Sequence, residues 1–191
     1  MGGGHVGGAA TFLVDTLFGL YIALFMLRFL LQVARADFYN PISQFVVRAT
    51  QPVLKPLRRV IPGTRGIDLA TIVAMVVLQT IALYIILGLD GGSGALPGML
   101  LHAVARLVDL ALNVFFFVII AQIVLSWVNP SLRNPATAIL HRIAELLLGP
   151  ARRVIPPMGG LDISPIPVLI GLRLASFLIV GPLVDIANQL L

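Results

Sequence analysis

The residues best suited to bind a ligand are adjacent arginines in a segment that occurs twice. Residues Pro56–Pro62 and Pro150–Pro156 both read Pro-x-Arg-Arg-Val-Ile-Pro. Paired guanidinium groups offer planar donor forks that suit phosphate or carboxylate, and the flanking prolines predict an extended, kinked strap rather than a helix. Such a strap either holds a phospholipid headgroup or acidic partner, or it sets membrane topology while its arginines pair with Asp68 and Asp162. The candidate lipid- or partner-binding residues are Arg48, Lys55, Arg58, Arg59, Arg142, Arg152 and Arg153.

Other reactive side chains do not form a recognisable site. The chain has no cysteine, which excludes disulfides, thiol catalysis and cysteine-ligated metals. His102 and His141 are predicted on opposite sides of a membrane and therefore cannot ligate one metal. No Ser-His-Asp arrangement, P-loop or dinucleotide fingerprint is present. We therefore expect neither an enzyme nor a metal or cofactor site.

Four polar residues interrupt stretches that are otherwise apolar: Arg28, Gln79, Gln122 and Arg173. Arg28 lies toward one end of its stretch, from which its side chain can extend to the interface. Arg173 lies eleven residues beyond Asp162, about 16 Å along a helix, so we expect it to point into the bundle toward a partner. The four residues form either a polar path or ligand site between the two halves of the chain, or a structural hydrogen-bond cluster.

The overall composition is that of a membrane protein. Hydrophobic residues make up 59% of the chain and charged residues 11%, against about 25% charged residues in a typical soluble domain. The net charge of +5 would suggest nucleic-acid binding in a soluble chain, but an anionic lipid surface or the cytoplasmic bias of basic loops accounts for it here. We predict an all-α membrane protein that does not bind nucleic acid directly.

Four apolar stretches are long enough to cross a bilayer, which takes roughly 20 helical residues. They run from Phe12 to Val33, Leu69 to Leu87, Leu110 to Val128 and Ile163 to Leu183, the third with an amphipathic extension toward Leu100. The loops after the first and third stretches are rich in arginine, whereas the Gly88–Gly98 loop has no basic residue. The positive-inside rule then predicts that both basic loops face the cytoplasm and that both termini lie on the other side of the membrane.

The two halves align without a gap at a shift of 94 residues, which brings Asn40-Pro41 onto Asn134-Pro135 and Asp15 onto Asp109. Matches among rare polar and turn residues indicate a duplication. Each half has an even number of spans, so the repeat is parallel and not the inverted kind common in alternating-access carriers. The predicted organisation is a flexible tail (1–10), a first repeat (11–89), a glycine-rich linker (90–98) and a second repeat (99–191).

Each basic loop is predicted to contain a short amphipathic helix. Asn40 and Asn134 fit N-caps followed by proline at the first helical position, and Pro52 is expected to end the first of these helices. The helices lie in the membrane interface or pack under the bundle, and the two interpretations are compatible. Asp68 and Asp162 are expected to cap the second and fourth spans.

The doubled pattern of Asn-Pro, Pro-x-Arg-Arg-x-Ile-Pro and Gly-x-Asp resembles the YggT family, also called YlmG, of small integral membrane proteins. Residues 37–54 resemble its two-repeat proteobacterial form, and the resemblance covers nearly the whole chain. The Asp-x-Ser-Pro pattern of the family is present at 162–165 but not at 68–71. The family's late first-span arginine is Arg28, in the first repeat, while its Ser-Trp pair, Ser126-Trp127, is in the second. The resemblance implies a multi-pass protein of the bacterial inner membrane, which would place both termini in the periplasm. It also implies links to osmotic tolerance, cation homeostasis, cell division or envelope organisation, and no shared active site.

Two functions are therefore expected as alternatives. The first is a non-enzymatic inner-membrane organiser or assembly factor, whose basic straps engage anionic phospholipid or an acidic membrane, division or envelope protein. A homo-oligomer is compatible with this function. The second is ion or osmolyte permeation through a polar path between the repeats, lined by the four polar residues of the spans.

Overall fold

The computed structural model describes residues 3–61, 68–129, 131–156 and 162–191, and these residues form helices joined by short connections. Four helical stretches are long and apolar enough to cross a membrane, namely Gly7–Val33 within α1 (Gly3–Val33), α3 (Leu69–Leu89), α4 (Leu96–Val128) and Pro165–Leu190. Two amphipathic helices connect spans. α2 (Pro41–Val60) lies between the first and second spans, and α5 (Pro135–Val154) lies between the third and fourth. The predicted all-α membrane fold of two helical-hairpin repeats is confirmed.

The fourth span is one continuous helix with a π-helical segment in its middle. It consists of α6 (Pro165–Ala175), the π-helical segment Ser176–Val180 and α7 (Gly181–Leu190). Pro182 has no amide hydrogen and cannot donate to a carbonyl one turn earlier. A π turn directly before this proline changes the local hydrogen-bond register, so the helix continues without ending at the ring.

The helices extend beyond the limits predicted from hydropathy. The backbone of α1 is helical from Gly3, within the stretch 1–10 for which a flexible tail was expected. The third span begins at Leu96, slightly before the amphipathic extension expected toward Leu100, and the linker expected over 90–98 is reduced to 90–95. His102, Arg106 and Asp109 lower the hydropathy of this region, yet they lie on one unbroken helix. Arg106 and Asp109 have polar partners on other helices, Asp15 and Ser176.

The prediction of extended straps was wrong. The Pro-x-Arg-Arg-Val residues form the last turns of α2 and α5, and α2 continues through Pro52 and Pro56 to Val60. Both prolines are exposed, so their rings lie away from the packed side of the helix. Tyr21 donates to the carbonyl oxygen of Ala49 (3.3 Å), in the turn that Pro52 disturbs. Tertiary packing and this outside donor compensate for the lost backbone hydrogen bonds that would otherwise end the helix.

Both connecting helices lie at the same end of the bundle. α2 contacts α5, and α5 also packs against α1 of the other repeat. We call this the basic end, defined by α2, α5 and the segments that flank them. At the opposite end, the 90–95 connection lies beside the carboxyl terminus, where Ala95 donates its backbone N–H to Leu191 (3.2 Å). Gly98 is required there because a Cβ atom would come within 2.7 Å of the Leu190 backbone.

The principal core belongs mainly to the first repeat. Phe25 and Ile22 of α1 and Leu54 of α2 are fully buried, and α1 packs along α3. Ile139 and Ile143 of α5 enter this same core from the second repeat. A smaller cluster around Ile119, Ala144, Leu148 and Leu172 holds the second repeat together. The core therefore joins the repeats, while leaving much of the second repeat's helical surface exposed.

Candidate functional site

The first connecting helix carries a row of cations on the side opposite its packed side. Arg48, Lys55 and Arg59 are exposed and separated by seven and four residues, which places them along one face of α2. The packed face of α2 carries Val46, Thr50 and Leu54, all buried. The amphipathicity of this helix therefore directs three positive charges away from the protein core.

The second connecting helix repeats this arrangement with fewer charges. Arg142 and Arg153 of α5 are exposed and eleven residues apart, again on one face, whereas Ala144 and Leu148 are buried. Gly149 replaces the lysine of the first row at the equivalent position. We refer to Arg48, Lys55, Arg59, Arg142 and Arg153 together as the basic rows.

The first arginine of each Arg-Arg pair is held by an aspartate of its own repeat. Arg58 forms an ion pair with Asp68, which is only 6% exposed and also accepts from the Thr71 hydroxyl (2.7 Å). Burial alone would raise the pKa of Asp68, but the hydrogen bonds from Arg58 and Thr71 outweigh it and leave the pKa below its ordinary value. This ion pair connects the last turn of α2 to the N-terminus of α3.

The equivalent pair in the second repeat is shared with a third residue. Arg152 donates to Asp162 (2.8 Å) and to Glu145 (2.6 Å). Burial lowers the pKa of Arg152, and its hydrogen bonds to the two carboxylates more than reverse this, so the net pKa is raised. Arg58 and Arg152 thus match the interpretation that these arginines pair with Asp68 and Asp162.

The second arginine of each pair is placed differently. Arg59 and Arg153 are exposed, and neither forms an ion pair with any residue in the described ranges. Both also lie in the last turn of their helix, where a cation is favourable beside the partial negative charge of the carbonyl groups. Their guanidinium groups therefore remain available on the surface of the basic end.

The expected caps are partly as predicted. Asn40 is the N-cap of α2 and Asp68 that of α3, while Asn134 and Thr137 form a capping box on α5. Asp162 is not the N-cap of the fourth span, which is Ser164; its carboxylate accepts from the Ser164 backbone N–H (3.0 Å) and hydroxyl (2.6 Å) instead. The short Asx turn that results positions Asp162 toward Arg152.

Arg28 does not extend to the interface but is buried against the first connecting helix. It is 8% exposed, and its guanidinium donates to the Thr50 hydroxyl (2.6 Å), the Val47 carbonyl (3.2 Å) and the Gln51 side chain (3.4 Å). These three acceptors all belong to α2. Arg28 therefore joins α1 to α2 within the first repeat.

Gln122, the repeat equivalent of Arg28, makes fewer hydrogen bonds to its connecting helix, α5. Its side-chain nitrogen lies 3.1 Å from Nδ1 of His141 on α5, while its oxygen is buried with no hydrogen-bond partner in the described residues. The side chain lines a cleft of about 920 Å³ at the basic end, between α4, α5 and the segment before α2. The cleft that Arg28 lines at the first-repeat junction is smaller, about 360 Å³.

The remaining two polar residues face different surroundings. Arg173 reaches from α6 to Asn113 (3.1 Å) and lies over the ring of Phe116 (3.8 Å), but it stays exposed rather than entering the bundle interior. Gln79 is 7% exposed and lines a separate cleft toward the opposite end. Gln79, Gln122 and Arg28 therefore line different cavities and not one continuous path.

Sequence reasoning missed a polar cluster in the outer part of the spans, toward the opposite end. Arg106 of α4 pairs with Asp15 of α1 (2.8 Å), which links the two repeats. Asp109 accepts from Ser176 (2.8 Å) and Asn113 (2.9 Å). The spacing of Arg106, Asp109 and Asn113 along one helix face was the available signal, but hydropathy placed the first two outside the span.

Comparisons with known proteins agree with the duplicated architecture. The family model described as CCB3/YggT matches twice, at residues 8–89 and 101–183. An uncharacterized protein of Pseudomonas aeruginosa is 45% identical over 92% of this chain and 90% of its own, and one of Vibrio alginolyticus is 43% identical over 91% and 96%. The uncharacterized protein YggT of Escherichia coli is 35% identical over 95% and 94%. No solved structure matches the chain. With two matches that follow the two repeats, the chain belongs to the CCB3/YggT family.

Proposed function

We propose that this protein is a non-enzymatic organiser or assembly factor of the bacterial inner membrane, and that the basic rows hold anionic phospholipid at its cytoplasmic face. The observation that carries the proposal is that the two arginines of each Arg-Arg pair have different surroundings. Arg58 and Arg152 are engaged by aspartates, whereas Arg59 and Arg153 are exposed beside the other cations of their rows.

The energetics favour a lipid surface over a single small anion. Each basic residue near an anionic membrane contributes about 1 kcal/mol, so five residues provide about 5 kcal/mol before desolvation and ordering costs. The cations are spread along two helices rather than converging on one point. Such a spread suits several headgroups at once, and arginine suits their phosphates because its planar donors match two oxygens.

Exposed apolar side chains adjoin the basic rows. Phe45 is 60% exposed, while Val60 and Val154, which follow the Arg-Arg pairs, are each 81% exposed. A helix that combines a basic face with exposed apolar groups fits the headgroup boundary of a membrane. The rows at one end and the absence of basic residues from the 90–95 connection support a topology with the basic end in the cytoplasm and both termini in the periplasm.

Removing the same number of charges from adjacent positions tests the proposal. Arg59→Gln with Arg153→Gln removes two unpaired cations, and Arg58→Gln with Arg152→Gln removes two paired ones. Both variants are purified in detergent, and the phosphatidylglycerol retained per chain is counted by mass spectrometry alongside the thermal stability. We expect the first variant to retain several-fold less phosphatidylglycerol at unchanged stability, and the second to lose stability with a smaller loss of lipid.

Addition of lipid to delipidated protein separates the possible ligands. Phosphatidylglycerol should raise the melting temperature of the wild type and not that of the Arg59/Arg153 variant, whereas phosphatidylcholine should raise neither. Equal lipid retention by both double variants would overturn the proposal. Retention of an acidic protein instead of lipid, lost only in the Arg59/Arg153 variant, would replace the lipid by a protein partner.

A further inference from the structure

The polar cluster missed by the sequence lines a cleft where the two repeats meet toward the opposite end. The cleft has a volume of about 470 Å³ and is bordered by α1, α3, α4 and the fourth span. Asp15 and Asp109 are equivalent positions of the duplication, and both line it; so do the equivalent residues Gly19 and Asn113. The near-twofold relation of the repeats therefore brings two carboxylates into one space.

The charges in this cleft are mixed. Arg106 lies between the repeats with its guanidinium 2.8 Å from Asp15. Both members of this pair are substantially exposed, at 40% and 56% of their side chains, and exposed ion pairs contribute little to stability. Asp109 is held in place by Ser176 and Asn113. One wall is consequently cationic and two flanking positions are anionic.

Gln79 supplies an unused hydrogen-bonding group in the same cleft. It is 7% exposed, lines the cleft, and has no hydrogen bond with another described residue. It lies eleven residues after Asp68, about 16 Å along α3 and near the middle of a bilayer. A buried carboxamide at that depth needs a polar partner. His102 also lines the cleft, and its buried Nδ1 atom has no hydrogen-bond partner among the described residues.

We propose that this cleft binds a small zwitterion that carries an ammonium and a carboxylate. Asp15 and Asp109 together outweigh the single positive charge of Arg106, so a simple anion is disfavoured. A simple cation could replace Arg106 at Asp15 only by leaving that guanidinium without an acceptor. A zwitterion presents a negative group to Arg106 and a positive group to Asp15 and Asp109. Its carboxylate accepts from Arg106 and the Gln79 amide, and its ammonium donates to Asp15 and Asp109 as the exposed Asp15–Arg106 pair opens.

Direct binding to the full chain in nanodiscs tests this inference. Glycine, β-alanine and glycine betaine serve as zwitterions, with acetate and methylammonium as the two separate charges, each titrated by calorimetry. We expect saturable binding of at least one primary-ammonium zwitterion, and at least tenfold weaker binding of both single ions. Glycine betaine should bind more weakly than glycine because its quaternary nitrogen has no hydrogen to donate.

Variants locate the binding. Gln79→Leu should weaken zwitterion binding at least tenfold, while Gln122→Leu, which changes a half-buried glutamine of another span, should leave it unchanged. Arg106→Gln with Asp15→Asn removes both charges together and should also abolish binding; an unaltered gel-filtration profile and melting temperature show that each variant folds. No saturable binding by any zwitterion, equal binding by Gln79→Leu, or acetate or methylammonium binding as tightly as glycine would overturn the inference. Because these residues lie outside the basic rows, the outcome is independent of the lipid-retention experiment.

Discussion

The two repeats share a register of 94 residues but differ in how each connecting helix meets its first span. In the first repeat Arg28 is buried and donates to three acceptors on α2. In the second, Gln122 meets only His141 among the described residues and lines the cleft of about 920 Å³. Trp127 and Val128, at the end of the same span, are each 77% exposed. The comparison shows that an arginine and a glutamine at equivalent positions make different contacts with their connecting helices.

What the two copies keep in common is equally informative. Both retain the asparagine cap, the exposed second arginine and the ion pair from the first arginine to an aspartate. These features fix the ends of the connecting helices and the direction of their cations. The duplication therefore shares the caps and ion pairs of the connecting helices, and it diverges where each connecting helix meets its first span.

Replacement of the divergent pair should give the largest difference. Arg28→Ala removes a buried guanidinium and leaves the Thr50 and Gln51 side chains without their donor, which we expect to lower the free energy of unfolding by about 3 kcal/mol. Gln122→Ala at the equivalent position should cost about 1 kcal/mol or less. Reversible unfolding in mixed detergent micelles measures both. Equal losses would show that the two junctions are energetically alike despite their different contacts.

Removal of the ion pairs that both repeats share should give a smaller difference in the free energy of unfolding. Asp68→Asn deprives Arg58 of a carboxylate that is 6% exposed, so we expect a loss of about 2 kcal/mol. Asp162→Asn should cost less than about 1 kcal/mol, because the pair is more exposed and Arg152 keeps Glu145.

The pH dependence of stability provides a check on the same pair. Folding lowers the pKa of Asp68, so its contribution is fully present above the unfolded pKa of about 3.9 and is lost as the pH falls through the lower folded value. The stability gap between wild type and Asp68→Asn should therefore persist at pH 5 and shrink below about pH 4. A gap that already closes between pH 7 and pH 5 would contradict this assignment.

The two N-caps should differ least. Asn40 caps α2 and also donates to the Pro135 carbonyl of the other repeat (2.7 Å), whereas Asn134 only completes a capping box on its own helix. Loss of a cap costs about 1 kcal/mol, and the cross-repeat hydrogen bond adds about 0.5–1 kcal/mol to the effect of Asn40→Ala. The two alanine variants can be compared in the same unfolding assay. A larger effect at Asn134 would place the contact between the repeats elsewhere.

The number of spans, the duplication and the shared end of the basic segments could all be predicted because they depend on composition, period and register. The start of the third span was predicted only approximately, since His102, Arg106 and Asp109 lower the local hydropathy. The partners of Arg106 and Asp109 on other helices are not visible in the sequence. The conformation of the Pro-Arg-Arg segments was mispredicted for a related reason. Proline propensity is local, whereas the packing of Val46, Thr50 and Leu54 that keeps α2 helical comes from α1 and α3.

The sequence by itself determined that this is a membrane protein of two parallel repeats with its basic loops at one end, because apolar length, charge position and self-similarity can be counted along a chain. Only the tertiary structure decided which arginines are paired and that Asp15 and Asp109 share a cleft. It also decided that Arg28 donates to three acceptors on α2 while Gln122 contacts His141 and lines the cleft of about 920 Å³. Those outcomes depend on the rotation of each helix and the distance to its neighbours. Neighbouring residues of the same type, such as Arg58 and Arg59, can therefore acquire different roles once the helices are packed.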